Sequence, residues 1–397
     1  MPDKHESYAA AKKLLEGKKR ILISGHLSPD GDSLGSMIAL ARLLTGAGYE
    51  AFATADLTCG HNNIFMNHVT ILFGEAADDL ETVAYNTLPS ALGDDGRGMR
   101  YYQLLNQPVC ETKRDLGFVN NHEGTCYTPG PDAGYGCCRS NFHFAWPKFV
   151  QSMWMKGGDG LVAVAYGPCT VSNELATVVE GGDYPFGDRV TMKFVRTNGR
   201  EWPLALRRPR WCAAEDIVVR LNGKAVRPDG AGRIRRVWAA GDEIELVLPA
   251  KAVAVRGGRD AIAVRRGALV YALRLDADVK TLPTKPGRAG WPAREYVAKS
   301  PWNYALKCDG TAPDAAFVPP VDLSGNVFAH GRAVASLKAK AYRTDCAGWG
   351  ACRSDGRANE PPPSPLKPAQ HAAEEETVTL VPLGATQVRI TLFPWTK

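Results

Sequence analysis

From Gly160 onward the chain is a succession of short apolar runs closed by turn residues, and this pattern restricts the fold more than any other feature. Leu161–Tyr166, Val190–Val195, Asp216–Leu221 and Glu243–Leu248 are such runs, with Gly, Asn, Asp or Pro between them. Strands of this length and spacing each bury one face and pair into a β-sandwich. Ala261–Val264 and Ala268–Leu273 continue the pattern, and Thr377–Val381 and Gln387–Leu392 supply two strands near the end. Residues 275–320 are Pro-rich and read as irregular, as does the loop Glu360-Pro-Pro-Pro-Ser-Pro. The basic clusters Arg207-Arg208-Pro209-Arg210 and Arg233-Ile234-Arg235-Arg236 fall among the strand-like runs and read as solvated faces. A formal charge of +6 over 397 residues gives no nucleic-acid footprint.

The first part of the chain has a different character. Residues 6–17 read as a short helix and Ile21–Ser24 as a strand, followed by the acidic loop from Gly25 to Ser36. A helical run from Met37 to Leu44 then closes at Gly46 and Gly48. Strand, loop and helix in this order make the opening βα unit of a Rossmann-like sheet, with ligands at the strand's carboxyl end. His26, Asp30 and Asp32 place one imidazole and two carboxylates on that loop, a donor set suited to Mn²⁺ or Mg²⁺. Further on, Asn62–Phe73 reads as a helix, and a second runs from Ala76 to Leu88 with Pro89 ending it. Strand-like pieces around Tyr101–Leu105 precede a long Gly-, Asn- and Pro-rich loop, after which a helix starts near Trp146-Pro147 and carries Phe149, Val150, Met153 and Trp154. The fold class expected is therefore mixed, a Rossmann-like α/β fragment followed by helices and then all-β sandwich domains.

The loop before that last helix contains Tyr135-Gly136-Cys137-Cys138-Arg139-Ser140-Asn141. Adjacent cysteines seldom bond to each other, because the ring is strained. Two readings stay open: a pair of buried thiols, or two ligands of a soft metal with Cys59 of Thr58-Cys59-Gly60 as a third. Gly134 and Gly136 permit the turn that adjacent ligands need. Ten scattered cysteines without a regular framework, no secretory signal and no run of about 18 apolar residues lead to the expectation of a cytoplasmic, membrane-free chain. Lesser candidates are His61 and His68 on one helix face, Cys346 with Cys352, Glu123 near the cysteine loop, and Trp202, Trp211 and Trp238, read as core residues or as sugar-stacking rings.

The segment from His26 to Gly35 follows the pattern His-x-x-Pro-Asp-Gly-Asp-x-x-Gly, and over residues 5–54 the chain resembles the DHH phosphoesterases. That resemblance implies a manganese site at His26, Asp30 and Asp32, although the family's later motifs have no match downstream. A second resemblance covers residues 58–397 and rests on Thr58-Cys59-Gly60-His61-Asn62-Asn63, Ala84-Tyr85-Asn86-Thr87-Leu88-Pro89 and the Tyr135–Asn141 stretch. It is also carried by Asp183-Tyr184-Pro185-Phe186, Arg266–Leu273, Ser300-Pro301-Trp302-Asn303-Tyr304-Ala305-Leu306 and Leu380–Thr386. In these blocks the chain is similar to glycoside hydrolase family 127, the β-L-arabinofuranosidase-like enzymes.

That family resemblance implies an (α/α)6 barrel followed by β-sandwiches, and a retaining hydrolase acting on arabinose-containing oligosaccharides or plant glycans. It also implies a Zn²⁺ held by Cys59, Cys137 and Cys138, with Cys137 as nucleophile. Leu57 stands where the family's Glu-x-Cys pair has its glutamate, and the upstream region that supplies the acid/base glutamate is replaced by the DHH-like segment. The expected division is 1–54 as the DHH-like fragment, 55–157 as the later part of the helical barrel, 158–274 as a middle sandwich and 275–397 as a terminal β domain, with a junction of two enzyme portions near residues 50–57. Three functions follow: an impaired glycoside hydrolase, a metal-dependent phosphoesterase, or a carbohydrate-binding remnant without turnover.

Overall fold

The structure, a computed structural model, describes residues 76–112, 126–132, 142–349, 358 and 360–397, together with 15–17, 20–24, 40, 44 and 50–54. The chain divides into two compact units, Met1–Thr70 and Ile71–Lys397. In the first, β1 (Arg20–Ser24) pairs in parallel with β2 (Glu50–Thr54), Arg20 opposite Glu50 and Ser24 opposite Thr54.

The second unit is mostly β. One four-stranded sheet has the order β13 (Arg233–Val237), β10 (Glu201–Leu206), β6 (Gly160–Ala163), β5 (Trp154–Gly157). A six-stranded sheet has the order β12 (Lys224–Ala225), β11 (Val218–Leu221), β14 (Glu243–Val247), β9 (Arg189–Thr197), β8 (Ala176–Gly182), β7 (Cys169–Ser172). Along β9, Val190, Met192 and Phe194 are buried and alternate with more exposed neighbours, the period-2 signature of a strand with one inward face. Phe194 stacks on Trp238 at 4.4 Å and lies 6.1 Å from Trp202 of β10, so aromatic rings fill the space between the two sheets. Trp202 and Trp238 are therefore core residues, each 1% exposed, and are not sugar platforms.

The third layer is a nine-stranded sheet. Its path is β15 (Ala252–Arg256), β16 (Ile262–Arg266), β17 (Leu269–Leu273), β23 (Glu375–Pro382), β22 (Ser336–Arg343), β20 (Tyr304–Lys307), β26 (Trp395–Thr396), with β21 (Ala315–Val318) on β22 and β25 (Leu392–Phe393) on β16. Two small sheets complete the unit: β18 (Ala277–Thr281), β19 (Arg294–Ala298) and β4 (Val109–Cys110), and the pair β24 (Arg389–Ile390) with β3 (Asn106–Gln107). Residues 275–320 thus hold four strands where irregular chain was expected. Their patterns hide them: β18 exposes Asp278, Val279, Lys280 and Thr281, and its pairing partner gives it shape where burial does not. Tyr101–Leu105 is not a strand; the pairing residues are the next ones along, Asn106–Gln107 and Val109–Cys110.

Helix is confined, among the described residues, to a few short segments. α1 (Ala76–Thr82) runs through a π-helical turn, Val83–Thr87, into α2 (Leu88–Ala91). Pro89 does not end this helix, because it falls in the first turn of α2, where a missing N–H costs little. α3 (Ala145–Gln151) buries Phe149, and Trp154 belongs to β5, not to the helix. No helix among the described residues is long and apolar enough to cross a membrane.

Candidate functional site

The residues singled out for chemistry, His26, Asp30, Asp32, Cys59, Cys137 and Cys138, lie outside the described residues, as do Leu57, His61, His68, Glu123 and Cys352. Among the described residues no three His, Cys, Asp or Glu side chains gather closely enough to hold a metal ion. Cys346 is a free thiol that accepts a hydrogen bond from Gln370 Nε2 at 3.2 Å.

What the structure does bring together is three of the described blocks on which the second resemblance rests, Asp183–Phe186, Arg266–Leu273 and Leu380–Thr386, which meet the helix that carries a fourth, Ala84–Pro89. Asp78 and Glu81 are three apart and share one face of α1. Glu81 is fully buried; its carboxylate accepts Tyr184 Oη at 2.6 Å and the Tyr166 amide at 2.8 Å, and pairs with Arg207 Nη2 at 2.6 Å. Arg207 also pairs with Asp78, which accepts the Arg210 amide at 2.9 Å. Arg207, read as solvated, is thus part of a buried ion-pair cluster. Burial pushes the Glu81 carboxyl up, and the nearby Arg207 charge and the hydrogen bonds pull against it. One turn later, Asn86 bridges to the nine-stranded sheet, donating to Ala268 O and accepting from the Val270 amide, both at 2.8 Å. Gly384 packs where a Cβ would come within 2.9 Å of Tyr85 O and 2.8 Å of the Phe328 ring, so the helix sits flush on that loop.

A second carboxylate is also buried. Glu180 of β8 accepts Trp154 Nε1 at 2.6 Å and the Gly167 amide at 2.8 Å, tying β5 and the turn after β6 to the six-stranded sheet. Burial pushes its pKa up to about 8, against the pull of both donors. A carboxyl so enclosed by protein donors is a fastening of the sandwich, since no substrate reaches it.

Among the described residues two open clefts of similar size occur in this unit, one of about 570 Å³ at Asn303, Arg343 and His371, and one of about 560 Å³ lined by Leu92, Gly96, Arg97, Gly98, Met99, Gly130, Pro131, Phe142, His143, Gly287, Arg288 and Trp291. Pro131 and Phe142 lie on the chain leading into and out of the stretch with Cys137 and Cys138. The floor is held by isolated bridges from Met99 to Leu92 and to Gly130, and by the Gly130 amide donating to Met99 O at 3.1 Å. Glycine is required here: a Cβ on Gly98 would come within 2.7 Å of Gly130 Cα, and one on Gly130 within 2.7 Å of Ala293 Cβ. Trp291 stands on the wall half exposed, with the Arg97 guanidinium 6.0 Å from its ring and Arg97 Nη1 donating to Gly290 O at 2.9 Å. Beyond the wall, a smaller cavity of about 140 Å³ shares Arg288 and Trp291 and adds Asp132, Lys285 and Thr112. Sequence reasoning passed over Trp291, which sits in Gly290-Trp291-Pro292; the usable signal was an aromatic residue between arginines in a turn-rich loop.

Residues 160–250 match the model of the GH127 β-L-arabinofuranosidase middle domain. This segment spans β6 through β14 and includes Glu180, Tyr184 and Arg207. A search of curated proteins matched none. Solved structures give the fold a wider frame. A GH127 β-L-arabinofuranosidase from Geobacillus stearothermophilus is 18% identical, with a TM-score of 0.54, over 82% of this chain and 47% of that one. A structure described as a glycoside hydrolase is 18% identical with a TM-score of 0.56, over 82% and 49%. A GH127 β-arabinofuranosidase is 17% identical with a TM-score of 0.54, over 84% and 47%. The chain thus has their fold over most of its own length and spans about half of theirs.

Proposed function

We propose that the chain is a glycoside hydrolase of the β-L-arabinofuranosidase type, acting on arabinose-containing glycans, with its helices forming part of an (α/α)6 barrel. The match of residues 160–250 to the middle domain of that family carries the reading. The cleft supports it, because the chain that lines it leads directly into Tyr135–Asn141. Cys137 would attack the anomeric carbon with inversion while the leaving oxygen takes a proton, and water would then release the sugar with a second inversion, giving net retention. Cys59, Cys137 and Cys138 form a soft donor set suited to zinc, which when bound would keep the Cys137 thiol deprotonated at neutral pH. Glu123, in the loop that precedes the cysteines, is the candidate proton donor. The test is release of p-nitrophenol from p-nitrophenyl β-L-arabinofuranoside. Turnover lost in Cys137→Ser supports the assignment, and turnover unchanged in that variant rejects it.

The first unit supports a second reading. β1 pairs in parallel with β2, as the first strands of a Rossmann-like sheet would, and His26, Asp30 and Asp32 follow β1 in sequence; they would hold Mn²⁺ for a phosphoesterase. Manganese-stimulated phosphate release that disappears in Asp32→Ala would establish it. A carbohydrate-binding remnant without turnover would instead bind glycans and leave both assays silent. We place the chain in the cytoplasm in any of these roles.

A further inference from the structure

The 560 Å³ cleft has a lining with a one-sided chemistry. Arg97, Arg288 and His143 are its charged or titratable side chains, and no aspartate or glutamate is among the described residues that line it. The charge that these described side chains present is positive, and guanidinium groups donate to a carboxylate with full charge assistance. This wall therefore suits a ligand that brings a negative charge. The half-exposed Trp291 adds a flat apolar face of the size a sugar ring covers. Its loop is held in place by consecutive turns, with the Arg288 amide donating to Lys285 O at 3.0 Å and the Trp291 amide to Arg288 O at 2.8 Å. Arg288 lines the cleft, and its Nη2 meets Asp132 at 3.5 Å at the edge of that wall.

We propose that this cleft is a subsite for an acidic sugar, a uronic acid residue whose ring lies on Trp291 and whose carboxylate is bound by Arg288 and Arg97. It rests on the hydrolase reading only for its use: in such an enzyme it would take the acidic part of a branched glycan from which arabinose is removed. Recognition of the carboxylate is bidentate and charge-assisted, so it separates an acid from its neutral counterpart by hydrogen-bond geometry as well as charge.

The probes are methyl β-D-glucuronide and methyl β-D-glucoside, titrated into the full chain and followed by tryptophan fluorescence and by saturation-transfer NMR. The glucuronide is expected to bind about tenfold more tightly than the glucoside, and to weaken about tenfold in Arg288→Gln and in Trp291→Ala. Trp291→Phe, which keeps a ring, should retain most of the affinity, and thermal unfolding of each variant checks that the fold is intact. Equal binding of the two probes, or glucuronide binding indifferent to both Arg288→Gln and Trp291→Ala, overturns the subsite. Binding without arabinofuranoside turnover would then reject the hydrolase reading and keep the subsite, and turnover without acid-selective binding would do the reverse.

Discussion

Replacing Glu180 by glutamine should reverse its effect on stability as the pH rises. The Glu180 carboxyl is held at about 8 by burial, while in the unfolded chain it ionises in the ordinary carboxylate range. Between those two values the folded state keeps a proton that the unfolded state has lost, so this group's contribution to stability falls as pH climbs and levels off above about 8. One such proton is worth about 1.4 kcal/mol per pH unit, or at most about 4 kcal/mol between pH 5 and 8. Glutamine has no proton to lose, but its amide nitrogen must face either Trp154 Nε1 or the Gly167 amide, both donors. That lost hydrogen bond costs about 1–3 kcal/mol at every pH. Glu180→Gln should therefore be less stable than the parent at pH 5 by about that amount, and more stable at pH 8 by about 1–3 kcal/mol. For a unit of about 330 residues the swing corresponds to a difference of about 6 °C in Tm. Thermal unfolding of both proteins from pH 5 to 8.5 measures it, and the difference between the two curves removes the carboxylates they share. A difference that does not change with pH, or one that grows in the parent's favour, refutes the reasoning.

The remaining expectations concern packing and the ion-pair cluster. Arg207→Ala leaves the Glu81 carboxylate buried without its cation and should cost about 3–5 kcal/mol in urea unfolding; a change below 1 kcal/mol would mean the helix is not fastened there. Trp202→Ala removes a ring that is 1% exposed between two sheets and should cost about 3–5 kcal/mol, with the Trp202 contribution to fluorescence lost and no effect on glycan binding. Gly160→Ala would drive a Cβ into Pro203 O across the β6–β10 pair, so soluble folded protein should be largely lost; near-normal yield and Tm would contradict the close approach.

The strands of the middle sandwich were legible because each has one inward face: Val190, Met192 and Phe194 alternate in β9, as do Ile244 and Leu246 in β14. Strands that earn their shape from a neighbour were not. β18 is exposed along most of its length and exists through pairing with β19, a contact that no local pattern encodes. β22 could have been found, since Leu337, Ala339 and Ala341 alternate with lysines and are fully buried. The resemblance blocks were legible as motifs, but the meeting of Asp183–Phe186, Arg266–Leu273 and Leu380–Thr386 on one helix was not. Tyr184, Asn86 and Arg207 are far apart in sequence and are joined by Glu81 and the edge of β17. Likewise a basic run such as Arg207–Arg210 or Arg233–Arg236 carries no sign of which guanidinium faces water. Arg207 is buried against Glu81, whereas Arg235 is exposed on β13.

The proposed chemistry turns on one bond, between Cys137 and an anomeric carbon. Intact-protein and peptide mass spectrometry after rapid acid quench, with p-nitrophenyl β-L-arabinofuranoside in excess, reads that bond directly. The account predicts one pentosyl residue per chain, located on the peptide with Cys137 and Cys138, and absent from Cys137→Ser. Turnover with no adduct on that peptide, or an adduct that persists in Cys137→Ser, would contradict it.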